Sequence, residues 1–208
     1  MGEIAEKVAE AKKKAKKRKF LQRVDLAVNL KNINLAKPEN RFNKELVLPH
    51  SKGKEPKVCV IAQTTAPQAK ELGVTVIDRA GLEKYKDKKA AKELARTHDH
   101  FLAEAPLMVE VGKILGPVLG PRGKMPKPFP PGADLKPLIE QTKRILQIKL
   151  TQNPVIHVPV GNEEMPDEEI EENIKAVLDL LERNLPKGSQ QIGSAYVKLT
   201  MGPSVRIR

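Results

Sequence analysis

The sequence predicts a two-domain protein of the α/β and α+β classes: a discontinuous terminal α+β sandwich with an inserted, doubly wound parallel α/β domain. Strand-like alternation of apolar and polar residues occurs near both ends of the chain. Between them, residues 56–144 alternate short, unbroken apolar runs with helical patterns, which is typical of a parallel sheet covered by helices. After residue 144 the period of two returns. We therefore expect residues 1–55 and 145–208 to form one domain.

Composition favours a nucleic-acid partner. The chain of 208 residues is long enough for two domains and carries a net charge of +12. Such a surplus indicates a polyanionic partner, although a basic tail or a membrane surface would also account for it. Aromatic residues make up only 3% of the chain and tryptophan is absent, which disfavours recognition of RNA mainly by base stacking. No apolar run is long enough to cross a bilayer, and the single cysteine, Cys59, cannot form an internal disulfide, so we expect a cytoplasmic protein.

The N-terminal segment has the period of an amphipathic helix, which we predict from Glu3 to Phe20. Its apolar residues recur at spacings of three and four: Ile4, Val8, Ala11 and Ala15. Seven of the eight residues in Lys12–Lys19 are basic, as suits either a solvated helix end or RNA binding, and the net charge favours RNA. Strands are predicted next at 24–30, where the alternation is regular, and at 45–48.

The middle and C-terminal elements follow from the same two periods. In the middle domain we predict strands and helices in alternation, with strands at 58–62, 74–77 and 100–103 and helices at 67–72, 82–96, from Pro106 and at 134–144. The terminal domain resumes with strands at 146–150 and 155–160, a helix at 170–185 and a strand at 194–201. Seven carboxylates lie between Glu163 and Glu172, and we expect so acidic a region to face away from RNA.

The stretch Gly112–Pro128, GKILGPVLGPRGKMPKP, combines four glycines, four prolines and four basic residues, which predicts a rigid, non-repetitive loop. A phosphate cradle, a nucleic-acid contact and a structural brace are the three interpretations. The nucleotide-binding P-loop pattern fails, because Val118 stands where its first glycine belongs and Met125 where its hydroxyl belongs. The glycine spacing also excludes the dinucleotide pattern.

Gly112–Pro128 resembles the signature loop of the ribosomal protein L1 family, whose members belong to the lateral stalk of the large subunit. Further segments resemble the same family: Phe101–Met108, Lys19-Phe20, Pro38–Arg41, Leu48-Pro49-His50, Lys52-Gly53-Lys54 and the ending Thr-Met-Gly-Pro-Ser-Val-Arg-Ile at 200–207. The stretch Lys31–Leu35 is similar to the archaeal branch. The resemblance covers nearly the whole chain.

The resemblance implies a structural RNA-binding protein, a monomer when free, whose terminal domain binds large-subunit ribosomal RNA. It also implies a position beside the tRNA in the exit site and repression of translation through the protein's own mRNA. Carried over residue by residue, the RNA surface comprises Lys19, Phe20, Arg41, His157, Ser194, Thr200, Met201 and Gly202. From spacing alone, Phe20 and Met201 would be core residues, and Thr200–Ser204 is equally compatible with a plain turn that ends a strand.

An enzyme is the alternative, and it would use the middle domain to bind a nucleotide or metabolite. The sequence contains few residues that could support such an enzyme. His98-Asp99-His100 is a weak metal pattern, Cys59 lies in an apolar run where cysteine behaves as a small hydrophobe, and Glu163 with Glu164 is an exposed pair. We predict neither catalytic residues, nor a cofactor, nor a metal.

Overall fold

The structure, a computed structural model, describes residues 2–208. Two compact units divide the chain: residues up to Glu55 together with Arg144–Arg208 form the terminal unit, and Pro56–Lys143 form the inserted unit. The terminal unit contains antiparallel sheets and the inserted unit a separate parallel sheet. The predicted mixed α/β and α+β fold class is confirmed.

The helices and strands follow in chain order as α1 (Glu3–Lys14), β1 (Arg23–Leu30), β2 (Phe42–Val47), β3 (Val58–Ile61), α2 (Ala66–Glu71), β4 (Thr75–Ile77), α3 (Arg79–Leu82), α4 (Lys88–Thr97), β5 (His100–Glu104), α5 (Met108–Ile114), α6 (Gly116–Leu119), β6 (Lys127–Phe129), α7 (Leu135–Arg144), β7 (Ile145–Leu150), β8 (Val155–Asn162), α8 (Asp167–Asn184), β9 (Ile192–Leu199) and β10 (Ser204–Arg206). Short 3₁₀ turns lie at Pro38–Asn40, Glu83–Lys86, Ala105–Leu107 and Gly188–Gln191.

The terminal unit is built on a four-stranded antiparallel sheet with the order β10-β9-β1-β8. Period-two alternation buries Val24, Leu26 and Val28 of β1 in a core shared with the apolar sides of α1 and α8. Truncating one such side chain to alanine typically costs about 2–5 kcal/mol. The opposite side of the sheet carries the polar members of each strand.

Strands β2 and β7 pair in a two-stranded sheet. The chain leaves the terminal unit after β2 and re-enters it just before β7. The ladder ends at Val47 opposite Ile145, and beyond it Leu48 N–H donates to the Arg144 carbonyl at 3.1 Å. The Arg144 guanidinium donates to the Pro49 carbonyl at 3.2 Å. The outgoing and returning segments are therefore hydrogen-bonded neighbours.

The inserted unit has a parallel sheet with the order β4-β3-β5-β6. Cys59 and Ile61 of β3 pack into a core with α4, α5 and α6, whereas Val58 and Val60 pack on the other side with α2 and α7. Both sides of β3 are thus buried, which explains its unbroken apolar run.

Several elements differ from the prediction. The first helix ends at Lys14 rather than Phe20, and Ala15 is already extended with φ −79° and ψ 136°. Like charges spaced by three and four residues repel each other along a helix, and the run of lysines contains several such pairs. The helix predicted at 82–96 is interrupted at Asp87, whose carboxylate caps α4 by accepting from Lys89 N–H at 3.2 Å. Strand β10 was not predicted.

Gly112–Pro128 is not the non-repetitive loop that its composition predicts. It contains the end of α5, all of α6 and the start of β6. Pro117 lies in the first turn of α6, where a missing N–H leaves no helical bond unmade, and Pro128 lies on an edge strand. The Lys124 ammonium donates to the carbonyls of Ala95 at 3.0 Å and His98 at 2.7 Å, so this cation braces the end of α4.

Candidate nucleic-acid interface

The turn after β9 is fastened to the start of β1. Thr200 N–H donates to the Arg23 carbonyl at 3.0 Å. The Thr200 hydroxyl accepts from Arg23 N–H at 3.2 Å and lies 3.3 Å from the Arg23 carbonyl, to which it can donate. The turn is therefore held in place through the main chain of Arg23, and Thr200 itself remains exposed.

Gln22, only 1% exposed, connects this turn to the basic segment. Its side-chain oxygen accepts from Met201 N–H at 3.2 Å, and its side-chain nitrogen donates to the Lys16 carbonyl at 3.2 Å. Its own carbonyl accepts from Glu163 N–H at 3.0 Å. One buried amide residue thus holds three segments that are distant in sequence.

Gly202 lies tightly against the end of the first helix. A Cβ added there would stand 3.1 Å from the Cβ of Ala15 and 3.3 Å from that of Leu199. The close approach that glycine permits at this position is therefore to protein atoms. Contact between RNA and Gly202 stays a prediction.

Phe20 and Met201 are exposed, with 52% and 58% of their surfaces accessible. The core-packing interpretation of both residues is wrong. Gln22 is two residues from Phe20 and is hydrogen-bonded to Met201, so the two apolar side chains belong to neighbouring segments. Large apolar side chains that stay in water beside cations suit contact with the sugars or bases of a nucleic acid.

The basic run has two parts. Lys12 is used internally, since its ammonium lies 2.5 Å from the Met165 carbonyl and 2.6 Å from the Asp167 carboxylate, and Lys14 pairs with Glu10 at 2.6 Å. The remaining cations project from the protein and are exposed: Lys13, Lys16, Lys17, Arg18 and Lys19.

A groove of about 300 Å³ lies beside these cations. Lys16 and Lys17 line it together with Glu163 and Glu164. Two carboxylates of the acidic segment therefore lie beside the basic one, and the expectation that this segment faces away from RNA stays a prediction. Carboxylates beside the cations would repel a phosphate backbone that entered the groove.

The polar side of the four-stranded sheet carries Ser194 and His157. Ser194 lies opposite Asn29 of β1, whose amide donates to its hydroxyl at 2.9 Å. His157 lies opposite Ala27, which in turn lies opposite Tyr196. Ser194 lies in β9, six residues before Thr200, and six residues of extended strand span about 20 Å.

The structure therefore places the predicted RNA residues in three parts of the terminal unit. Lys19, Phe20, Thr200, Met201 and Gly202 surround the end of β9, and we call them the turn cluster. Ser194 and His157 lie further along the sheet. Arg41 precedes β2, exposed, and its guanidinium donates to the Leu35 carbonyl at 2.7 Å.

Gln22 and Arg23 are the residues that sequence reasoning missed. A signal for Gln22 exists, because the alternation that buries Val24 and Leu26 also places Gln22 on the core side of the strand. A buried glutamine at a strand end must find hydrogen-bond partners nearby. The identity of those partners depends on contacts across about 180 residues, which no local pattern reveals.

The groups that could suggest an enzyme have structural roles in the inserted unit. Burial raises the pKa of the Cys59 thiol to about 12, which disfavours the nucleophilic thiolate. His98 is buried, with its ring nitrogens 3.3 Å from the Leu94 carbonyl and 3.0 Å from the Thr75 hydroxyl. Within residues 2–208 no group of histidine, cysteine, aspartate or glutamate side chains could hold a metal ion.

Glu104 occupies the place where a doubly wound sheet commonly binds phosphate, outside the carboxyl ends of its strands. Its carboxylate accepts from the N–H groups of Gln63, Thr64 and Thr65 at 2.9–3.1 Å and from the Thr65 hydroxyl at 2.8 Å. Burial raises the pKa of Glu104, but these donors outweigh burial and hold the pKa below its ordinary value. The protein's own carboxylate thus satisfies the N–H groups that a nucleotide would need.

Comparison with known proteins agrees with these features. The chain matches the ribosomal protein L1p/L10e family over residues 11–203. It is 51% identical to large ribosomal subunit protein uL1 of Methanothermococcus thermolithotrophicus over 98% of this chain and 97% of that protein. It is 50% identical to uL1 of Pyrococcus horikoshii, over 98% and 94%, and 48% identical to uL1 of Methanobrevibacter smithii, over 99% and 98%.

These relatives are named as ribosomal proteins and not as enzymes, which confirms the expectation of a non-enzymatic protein. No helix among residues 2–208 is long and apolar enough to span a membrane. Identity near one half over almost the full length, together with the family match, establishes that this chain belongs to the ribosomal protein L1p/L10e family.

Proposed function

We propose that this protein is a structural component of the large ribosomal subunit in the cytoplasm and binds ribosomal RNA through its terminal unit. The observation that carries the proposal is the turn cluster. It places two exposed apolar side chains, Phe20 and Met201, beside the exposed end of a basic run, on a rigid support.

The chemistry of the turn cluster suits RNA in particular. Cations at Lys16 to Lys19 supply sequence-independent attraction to phosphates. Phe20 and Met201 supply apolar surface for a base or sugar, and the hydroxyl of the exposed Thr200 suits a contact with a 2′-hydroxyl. Ser194 and His157 extend the same surface along the sheet, and Arg41 extends it from the loop before β2. The bound form would be a structured, hairpin-rich segment of large-subunit RNA.

Finer roles rest on the family. We infer that the protein, a monomer when free, stands near the tRNA in the exit site and that its own mRNA carries a segment resembling the ribosomal target. Binding of that segment would repress translation of the message when ribosomal RNA is scarce. Competition between the two RNAs for one surface is the expected behaviour, and a messenger fragment that binds without displacing ribosomal RNA would contradict it.

The test of the RNA surface is to replace Phe20 and Met201 singly by alanine and to measure affinity for a large-subunit RNA fragment by titration. Because both side chains are exposed, truncation should leave folding intact. Removal of an aromatic ring that stacks on a base, as proposed for Phe20, costs about 1–3 kcal/mol, or roughly five- to 150-fold in affinity. Met201 has no ring, so its truncation should cost less, through lost apolar contact. Met125→Ala is the matched control, since Met125 is 47% exposed in the inserted unit.

We expect Phe20→Ala and Met201→Ala to weaken binding to the ribosomal fragment and to leave binding to an unrelated RNA nearly unchanged. Met125→Ala should change neither affinity. If both terminal-unit variants are folded and bind the ribosomal fragment as tightly as the parent, the turn cluster does not read RNA. Footprinting of the large-subunit RNA with the parent protein then identifies whether any site is protected.

A further inference from the structure

Gln22 is unusual among the residues that support the turn cluster, because its side chain is both buried and polar at the boundary of two exposed segments. The amide is 1% exposed and makes one hydrogen bond to each of two segments, at Met201 N–H and at the Lys16 carbonyl, both 3.2 Å long. An apolar side chain of the same length could fill the space but could not orient either segment.

The two segments differ in what they would offer to RNA. The segment that contains Lys16 carries exposed cations, which attract any phosphate backbone. The segment that contains Met201 carries the exposed apolar side chain and adjoins Thr200. Their spacing sets which RNA shape can meet phosphate contacts and base or sugar contacts at the same time.

We propose that Gln22 is a positioning residue for RNA selectivity: by holding Lys16 and Met201 at a set distance, it determines which RNA the turn cluster accepts. The inference rests on the proposed function, since it requires that the turn cluster binds RNA. Gln22 itself is buried and does not touch the RNA. Its effect passes through Met201 on one side and the basic segment on the other.

Glu163 strengthens this assignment. Its N–H donates to the Gln22 carbonyl at 3.0 Å, and its side chain lines the groove that Lys16 and Lys17 also line. The main chain of Gln22, which Gln22→Met leaves unchanged, therefore also holds Glu163 beside the cations. An RNA that enters at the wrong angle brings its phosphates toward that carboxylate and is repelled. The same residue thus supports both the attractive and the repulsive part of the surface.

The test is Gln22→Met, which keeps the length and volume of the side chain and removes both hydrogen bonds. The matched control is Gln191→Met. Gln191 is also buried, at 4% exposure, and its amide also holds two segments, accepting from Lys187 N–H at 3.1 Å and donating to the Asn32 carbonyl at 3.2 Å. Both variants lose two hydrogen bonds of the same kind, so a similar loss of thermal stability is expected from each.

Only Gln22→Met should lower the ratio of affinity for the ribosomal fragment to affinity for an unrelated RNA, by about tenfold, the effect expected when one oriented hydrogen bond or apolar contact with RNA is removed. Gln191→Met should leave that ratio unchanged. A general loss of stability would change the affinity ratio of both variants to the same extent. The inference is therefore overturned if Gln22→Met and Gln191→Met change the ratio equally, or if neither variant changes it.

A double-mutant cycle with Met201→Ala separates this inference from the proposed function. If Gln22 acts through the turn, its effect on the ratio should be much smaller in the Met201→Ala background, because the side chain that it orients has been removed. Full additivity would overturn the inference. If Met201→Ala lowers the ratio and Gln22→Met does not, only the positioning role is wrong, whereas an unchanged ratio in Met201→Ala contradicts the proposed surface.

Discussion

Gly202 shows how strongly one residue of the turn cluster depends on the rest of the protein. Its Cα lies against Ala15, which is the first residue after α1. A side chain at this position requires Ala15 or Leu199 to shift by a few tenths of an ångström, and Ala15 begins the segment that leads to Lys16 and Phe20. A substitution chosen to obstruct RNA would therefore also move the protein surface that is meant to receive it.

We predict that Gly202→Ala lowers the free energy of unfolding by about 1–3 kcal/mol, as expected for overpacking. Ala15→Gly in the same chain should recover part of that stability, because it removes the Cβ that stands 3.1 Å from the added one. Chemical denaturation of the parent, both single variants and the double variant measures the coupling. If the effects of Gly202→Ala and Ala15→Gly on the free energy of unfolding are strictly additive, the side chains at these two positions do not contact each other.

Thr200, like Gly202, makes contacts within the protein that a substitution would change. Its hydroxyl is within hydrogen-bond distance of both main-chain groups of Arg23, so Thr200→Val removes protein contacts as well as any contact with RNA. Thr200→Ser, which keeps the hydroxyl, is the appropriate companion. Variants at Phe20 and Met201 are easier to interpret, because these side chains are exposed and their removal leaves fewer protein groups unpaired.

At the scale of single residues, the sequence places some side chains better than others. The alternation in β1 correctly predicts that Val24, Leu26 and Val28 are buried. Spacing fails for Phe20 and Met201, which lie outside the regular elements where period decides burial. Their exposure depends on the turn and on Gln22, whose contacts join residues far apart in sequence.

The basic segment is the element whose structure departs most from its predicted form. Helix α1 stops at Lys14 and Ala15 is extended, so Lys16 to Lys19 do not continue the surface of the helix. Local repeats predicted that a helix begins at Glu3, whereas its end depends on charge repulsion and on the bond from Gln22 to the Lys16 carbonyl.

We predict that replacing Lys13, Lys16 and Lys17 by glutamine weakens binding to every RNA and makes log K depend less steeply on log salt concentration. The slope should fall by up to about 0.7 to 0.9 for each lysine that neutralises a phosphate in the parent complex. These three lysines are exposed. Titrations at several salt concentrations, with a ribosomal and an unrelated RNA, measure both effects. An unchanged slope would assign the three cations to solvent.

Lys12→Gln is the matched control for this series. The Lys12 ammonium is 2.6 Å from the Asp167 carboxylate and 2.5 Å from the Met165 carbonyl, and its side chain is 19% exposed. Its replacement should therefore lower thermal stability and leave the salt slope nearly unchanged. A run of seven basic residues forms one feature of the sequence, but the fold gives its members different roles.

The whole molecule has one unit inserted into another, a layout that the change of hydrophobic period at both crossings indicates. What no period could predict is how the crossings meet. Pairing of Val47 with Ile145 and the bond from Leu48 N–H to the Arg144 carbonyl bring the outgoing and returning chains together within the terminal unit. The terminal unit can therefore be closed without the insert.

We predict that a variant in which a linker of about six glycine and serine residues, with a reach of roughly 13 Å, replaces residues 56–143 folds and keeps its preference for the ribosomal fragment. Lys52, three residues before Glu55, donates from its ammonium to the Ile145 carbonyl at 3.0 Å, which keeps the outgoing segment within reach of one lysine side chain from the returning strand. The core around β1, α1 and α8 lies wholly within the retained residues.

Circular dichroism and thermal unfolding check that the variant is folded, and titration with ribosomal and unrelated RNA measures the preference. Met201→Ala within the shortened protein should abolish most of that preference, as it should in the full chain. A folded variant that binds both RNAs equally would mean that the inserted unit, with Gly112–Pro128, contributes to recognition, and that the turn cluster alone does not suffice.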